Sequence, residues 1–403
     1  MVASLGSQTD LLLGFSLAPL VAKSLTELMT IVYALLLFTS SPYNGCNLII
    51  ESDSKHWYFV FNNFLDWKRQ SSPNMVPMLL IPTRMSNRVR QLCNLQIKTK
   101  FCNIELPESH SKRFCGSSHG WLAAVDKDMV ITLLNPFKNG ITIDLPEIDV
   151  NPRSASHQYD VHKVILSADP LSHPDSYVVV AIYGLRWRLA FYKSEQKSWI
   201  YLSEHLTAFS DVIFYKNLAY AIGTRSLIVS FDVNGDFDDN LELPNVKILM
   251  PACQMVEDNV DSAYLVESST GDLFSVKKEI DIERYHDCAH FTKNFKVFKL
   301  VLDDQTGKLL EKEVKNMNGD VVFVGDNHTL AVSALDFPEG QPNSIYFTDD
   351  HYIATEYWPL GPRDIGFFNM KDGKVGKYYR FKPWHKYLPP YIWVQPPAEF
   401  VLR

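Results

Sequence analysis

Leu133-Leu134-Asn135-Pro136-Phe137-Lys138-Asn139-Gly140-Ile141-Thr142-Ile143-Asp144-Leu145-Pro146 reads as one complete hairpin. An apolar run meets a turn at Asn139-Gly140, and a second, β-branched run stops at a proline. Asn and Gly accept positive φ at little cost, so this dipeptide sets a tight reversal between two strands. The unit recurs. Val229-Ser230-Phe231-Asp232-Val233-Asn234-Gly235 runs on to Leu243-Pro244. Leu189-Ala190-Phe191-Tyr192, a polar turn and Trp199-Ile200-Tyr201-Leu202 make a third copy. Phe367-Phe368-Asn369-Met370-Lys371-Asp372-Gly373 opens a late one.

Outward from these hairpins, short strand-like runs fill the chain from Met78 onward. They include Met78–Ile81, Trp121–Val125, Met129–Leu134, Tyr177–Ile182, Ser226–Phe231, Phe295–Leu302 and Val321–Val324. Turn dipeptides lie between many of them, as at Thr270-Gly271, Thr306-Gly307 and Asn318-Gly319. Long amphipathic helical patterns are nearly absent. Repeated short strands at hairpin spacing predict an all-β fold, and the recurring unit selects a propeller over a sandwich. At roughly 40–50 residues per blade, residues 77–403 are expected to hold about six or seven blades.

Residues 1–76 follow another pattern. Leu11, Leu12, Leu13, Leu17, Leu20 and Val21 lead into the apolar run Leu28–Phe38, and Trp57–Trp67 follows a polar insert. This reads as a short α-helical segment, closed by the breaker cluster Ser71-Ser72-Pro73-Asn74. The 11 residues of Leu28–Phe38 fall short of the ~20 that span a bilayer. A signal peptide would want a basic start, and the early charges are only Asp10, Lys23 and Glu27. A buried helix is the expectation; an organelle or membrane address in residues 1–41 is the alternative.

The chain carries a net charge of −7, which gives no electrostatic footprint for nucleic acid. Lys308, Lys312 and Lys315 are offset by Glu311 and Glu313, a pattern read as a solvated face. The cysteines, at positions 46, 93, 102, 115, 253 and 288, are irregularly spaced and form no CxxC pair. They read as reduced thiols of a cytoplasmic or nuclear protein. Asn327-His328-Thr329 spells a glycosylation sequon between strand-like runs and is taken as fortuitous.

Four constellations invite a chemical reading. Gly116-Ser117-Ser118-His119-Gly120 has the G-x-S-x-G form of a nucleophile elbow, which needs a strand before it and a helix after it. Here Trp121–Val125 reads as a second strand, so Ser118 is assigned to a small-residue turn. His286-Asp287-Cys288-Ala289-His290 has metal-capable side chains but no second cluster to complete a site. Asp232–Asp239 is acidic, yet counted from Asp232 it lacks the glycine and glutamate of a calcium loop. Arg186-Trp187-Arg188 could stack a base, although one aromatic between two arginines is better read as a hairpin surface. His157, His162 and His173 show no partner pattern. No catalytic, cofactor or metal residue is therefore expected, and the chain is not read as an enzyme.

Several stretches resemble, in order, a plant F-box family whose C-terminal part is the domain of unknown function 295, a kelch-like propeller. Ser117-Ser118-His119-Gly120-Trp121-Leu122 is followed by Leu134-Asn135-Pro136. Val178–Gly184, Phe209–Tyr215, Tyr264–Ser268 and Phe295–Leu300 come next. Then come Val322-Phe323-Val324-Gly325-Asp326-Asn327 and Asn343-Ser344-Ile345-Tyr346-Phe347-Thr348-Asp349-Asp350. The resemblance implies a non-enzymatic substrate receptor of an SCF-type ubiquitin ligase. In such a receptor the F-box helices hold a Skp adaptor and cullin, and the propeller face takes the target protein. Leu11–Phe38 lacks the Leu-Pro-x-Glu opening of an F-box, so the first domain is expected to be a degenerate or replaced F-box. A propeller binder without a ligase role is the alternative.

Overall fold

The computed structural model describes residues 2–5, 13–14, 48–50 and 76–400, apart from 85, 96–100, 108–111, 127, 150–159, 224, 234–245, 254–259, 284–288, 351–363, 380–387 and 398–399. The chain divides into two compact units, Met1–Asn74 and Met75–Arg403. In the first, the described residues are three short strands, Val2–Leu5, Leu13–Gly14 and Leu48–Ile50, with the first strand in the middle of an antiparallel sheet. Most of the stretch expected to be helical, Leu17–Val21 and Trp57–Trp67 included, lies outside the described residues. The apolar run Leu28–Phe38 lies outside the described residues. Among those described, no helix is long and apolar enough to cross a membrane.

The second unit is a six-bladed β-propeller. Each blade is an antiparallel sheet in which strands a to d run outward from the axis. Blade 2 is Arg113–Ser118, Trp121–Val125, Ile131–Asn135 and Ile141–Asp144. Blade 3 is Val161–Leu166, Val178–Tyr183, Arg188–Lys193 and Ser198–Tyr201. Blade 4 is Phe209–Tyr215, Leu218–Gly223, Ile228–Phe231 and Val246–Met250. Blade 5 is Val260–Glu267, Leu273–Glu283, Ala289–Asp303 and Lys308–Val314.

Two blades depart from this plan. Blade 1 takes strands b to d from Met78–Pro82, Val89–Cys93 and Phe101–Glu105, and its inner strand from Ile392–Val394 near the other end of the unit. Blade 6 has five strands. Leu330–Val332 is innermost, and Ser344–Phe347, Gly366–Asn369 and Lys374–Gly376 lie outward. Between the first two sits Val321–Val324, antiparallel to Leu330–Val332 and parallel to Ser344–Phe347.

Closure of the ring is read from its cores. A sheet hides both faces only when neighbours cover them, and six buried clusters fill the six gaps. Trp121, Val125 and Leu133 meet Val164, Val179 and Tyr183 between blades 2 and 3. Ile165, Val180 and Phe191 meet Phe209, Val229 and Phe231 between blades 3 and 4. Ile213 and Ile222 meet Leu265 and Leu309 next, then Val276 and Phe295 meet Val322 and Phe347. Phe323 and Tyr346 meet Leu79, Tyr391 and Trp393 between blades 6 and 1. Leu80, Leu92 and Ile392 meet Phe114, Leu122 and Leu134 to complete the circle. The all-b strands of blades 2 and 3 are buried along their whole length, which explains their continuous apolar runs.

Candidate functional site: the filled channel and the loop face

A segment of blade 6 lies among the inner strands of the ring. After Val321–Val324 the chain turns inward as Gly325-Asp326-Asn327-His328-Thr329 and then returns as the inner strand of blade 6. Inside the channel this segment is held by three other blades. Arg113 of blade 2 places Nη2 3.0 Å from Asp326 Oδ2 and donates from Nη1 to the Val161 carbonyl at 2.7 Å. His328 N donates to the Ser117 carbonyl at 2.9 Å. Lys163 of blade 3 donates to the Gly325 carbonyl at 3.1 Å, and its ammonium lies 2.6 Å from Asp211 Oδ1 of blade 4. Thr329 Oγ1 donates to Asp211 Oδ2 at 2.9 Å. Asp211 also accepts from Val212 N and Leu265 N, both at 2.8 Å.

Buried charge is costly unless paired and hydrogen-bonded, and here the pairing is extensive. Burial pushes the Asp211 carboxyl upward, opposed by Lys163 and the backbone and hydroxyl donors around it. The same dry surroundings lower His328 to about 3. Asn327 is fully buried, with Nδ2 donating to the Phe323 and His328 carbonyls. The sequon asparagine is thus inaccessible in the folded ring. The next motif anchors beside it. Asp350 accepts from Lys278 Nζ at 2.8 Å and from Tyr264 Oη, while Thr292 N donates to Asp364 at 2.7 Å.

Around the channel, strand alternation sends the b–c turns and the d–a crossings to one face and the a–b and c–d turns to the other. On the first face, Leu185 and Trp187 stand exposed in the b–c turn of blade 3. The Trp187 ring meets His162 edge-on, centroids 5.7 Å apart. His162 Nε2 donates to the Gly184 carbonyl at 3.1 Å, and burial lowers this imidazole to about 4. Arg188 covers the Tyr183 ring at 5.0 Å and pairs with Glu204 at 3.3 Å.

The residues singled out in the sequence fall as follows. Ser118 ends one strand of a hairpin, His119 and Gly120 turn at φ 52° and 78°, and Trp121 begins the next strand. No helix follows Ser118, and its buried Oγ accepts from Leu166 N at 3.2 Å. Of the Arg186-Trp187-Arg188 trio, Arg188 is committed to Tyr183 and Glu204. His162 is buried under Trp187, His173 is exposed in a turn and His157 lies outside the described residues. So do His286–Cys288 and most of Asp232–Asp239. Among the described residues no group of three metal-capable side chains converges. The channel residues Arg113, Lys163 and Asp211 carried no sequence signal, since each sits singly in a strand. Asp211 and Asp326 lie in stretches that carry the family resemblance, Phe209–Tyr215 and Val322–Asn327, which assigned neither of them a role.

A family model described as the KIB1-4 beta-propeller matches residues 92–369. A putative F-box protein of Arabidopsis thaliana is 24% identical over 289 residues, which cover 70% of this chain and 73% of that protein. The F-box protein SKIP23 of the same plant is 21% identical over 330 residues, covering 72% and 78%. Among solved structures, the N-terminal domain of Nup159 aligns over 77% of each chain at 10% identity and a TM-score of 0.35. The Cps50 (Swd1) β-propeller domain of Myceliophteria thermophila aligns over 57% of this chain and 68% of its own, at 12% identity and a TM-score of 0.32.

Proposed function

The chain belongs to the KIB1-4 β-propeller family, with plant F-box proteins among its relatives, and from that premise we propose that it is the target-binding subunit of an SCF-type ubiquitin ligase. A propeller of this family is a protein-interaction module. In the proposed role it does no chemistry: it holds a target protein on its loop face while other subunits transfer ubiquitin. The filled channel carries this reading. With Gly325–Thr329 packed among the inner strands of blades 2, 3 and 4, recognition is assigned to the face and rim.

The N-terminal unit would hold a Skp adaptor, and through it a cullin, in the cytoplasm or nucleus. Purification of the full chain from plant cells under mild salt tests the role. Recovery of a Skp adaptor and cullin in stoichiometric amounts supports it. Their absence leaves a propeller binder without a ligase partner and overturns the proposal. Imaging of a C-terminally tagged chain tests the compartment, and a signal confined to an organelle or membrane would replace it.

A further inference from the structure

Strand a of each regular blade runs towards the face that carries the a–b turns. At that end, blades 4, 5 and 6 leave a cavity of about 190 Å³ between them. Ile213 and Phe214 reach it from the end of strand a of blade 4, and Glu267 and Ser268 from the end of strand a of blade 5. His328, Thr329, Leu330 and Ala331 reach it from the segment that blade 6 sends inward. Pockets for drug-sized ligands hold roughly 300–1,000 Å³, whereas a dry cavity of about 150 Å³ takes up benzene. This one therefore suits a guest the size of one ring or one side chain.

Phe214, Leu330 and Ala331 keep part of their apolar surface uncovered here. Two of the polar lining side chains are already spent. Ser268 Oγ lies 2.9 Å from Thr270 Oγ1 and accepts from Asp272 N at 3.0 Å, and Thr329 Oγ1 donates to Asp211. The other two, Glu267 and His328, have no hydrogen-bond or ion-pair partner among the described residues. Glu267 is exposed and His328 lies deeper. Glu267 is the one charged side chain of the lining. Lys216, in the a–b turn of blade 4, acts on it from outside, but that ammonium lies over the Tyr215 ring at 5.0 Å. Burial still holds the Glu267 carboxyl above its ordinary value against this cation. The neighbouring acids are matched: Asp211 by Lys163, and Asp320 by the N–H and hydroxyl of Ser269. Burial, with His119 and Lys163 behind it, keeps the His328 ring neutral.

An unmatched carboxylate, a neutral imidazole deeper in and apolar walls describe one kind of guest. The carboxylate attracts a cation and repels an acid. The walls accept a compact apolar body, and the imidazole can exchange one hydrogen bond without repelling a cation. We propose that this cavity binds a small primary amine, its ammonium against Glu267 and its ring-sized apolar or phenolic part against Phe214 and Leu330, within reach of His328. Two sources offer that chemistry: a free aryl-alkyl amine, and the amino-terminal residue of a polypeptide. The site needs no ligase partner and goes beyond the proposed role.

The test is calorimetry on the full-length protein at neutral pH, with phenethylamine and tyramine as probes and 2-phenylethanol and phenylacetate as matched controls. Expected is saturable binding of the amines alone. Glu267→Gln should weaken it about fivefold, and Ala331→Leu, which fills the cavity, should abolish it. Lys216→Ala removes the neighbouring cation and should leave binding unchanged or tighter. Glu267 is exposed, so Glu267→Gln keeps the melting temperature of the parent and reads the contact even if Ala331→Leu unfolds. Controls that bind as tightly as the amines, binding that ignores Glu267→Gln or weakens in Lys216→Ala, or no binding at millimolar amine overturns the proposal. Short peptides with a free amino-terminal Phe or Tyr are titrated beside their N-acetylated forms to separate the sources. Binding of the free peptides and not the acetylated ones extends the site to polypeptide termini, whereas binding of the amines alone assigns it to small molecules. The Skp adaptor is assayed in the same preparations, and its absence alongside Glu267-dependent amine binding removes the ligase role and leaves this site standing.

Discussion

Gly116 stands where strand a of blade 2 passes strand a of blade 3 so closely that a Cβ would lie 1.9 Å from the Val164 carbonyl oxygen. Backbone cannot yield as a flexible side chain does, so Gly116→Ala is expected to cost about 3 kcal/mol or more. Ser118→Ala, two residues on, strands one buried N–H and costs about 1–2 kcal/mol. Urea denaturation of the two variants checks the order. The letters G-x-S-x-G were legible in the sequence, but their meaning was not. The first glycine answers to a strand from the next blade and the last to a turn, and neither distance is written locally. Buried histidines contribute to the response to acid, His162 and His328 the most strongly shifted among them. His162 and His328 are pressed below their usual 6.5, to about 4 and about 3. Both stay neutral in the fold but protonate on unfolding, so the unfolded chain binds more protons below 6.5. The stability they permit is present above that pH and is lost as pH falls towards 4. The urea midpoint should drop between pH 7 and pH 5, and His162→Gln should flatten the slope.

At the scale of elements, blade 6 explains which segment lies among the inner strands. An extra strand, Val321–Val324, displaces the usual inner position, and the chain must cross the axis to reach Leu330–Val332. The crossing is secured by charges from other blades, so Lys163→Met should cost about 3–5 kcal/mol by leaving Asp211 buried without its cation. Adding Asp211→Leu should recover part of that loss, and a double-mutant cycle in urea measures the coupling. Strand content was largely legible: Trp121–Val125 and Val321–Val324 appear where the apolar runs lie. Their partners were less so. The run Phe295–Leu302 is the middle of a strand reaching from Ala289 to Asp303, because His290, Lys293 and Asn294 hid its polar start. Glu311, read as part of a solvated face, instead accepts from Lys277 Nζ at 2.9 Å and from Ser275 Oγ at 2.9 Å. The inward turn of Gly325–Thr329 had no local sign, since its partners Arg113, Lys163 and Asp211 lie in other blades. Each of them looks, in its own strand, like an ordinary outward charge.

On the largest scale, the second unit is a ring sealed by one short strand. Ile392–Val394 pairs with Met78–Pro82 and contributes Trp393 to one inter-blade core and Ile392 and Val394 to the next. Removing residues 391–403 therefore opens two gaps at once. The shortened chain is expected to lose its single cooperative unfolding transition and to elute as aggregate in size-exclusion chromatography. The number of blades was only loosely legible as six or seven, and six are formed. The hairpin copies are clearest in blades 2 to 4, whereas blade 1 is split between distant stretches and blade 6 is reordered. A count by repeats misses what pairing supplies. The same seal has a consequence during synthesis. A ribosome making this chain releases Met78–Pro82 long before its inner neighbour exists, and every intervening sheet must emerge first. Until then the nascent first blade holds a bare seam beside the axis, a surface suited to chaperones that guard unpaired β-edges.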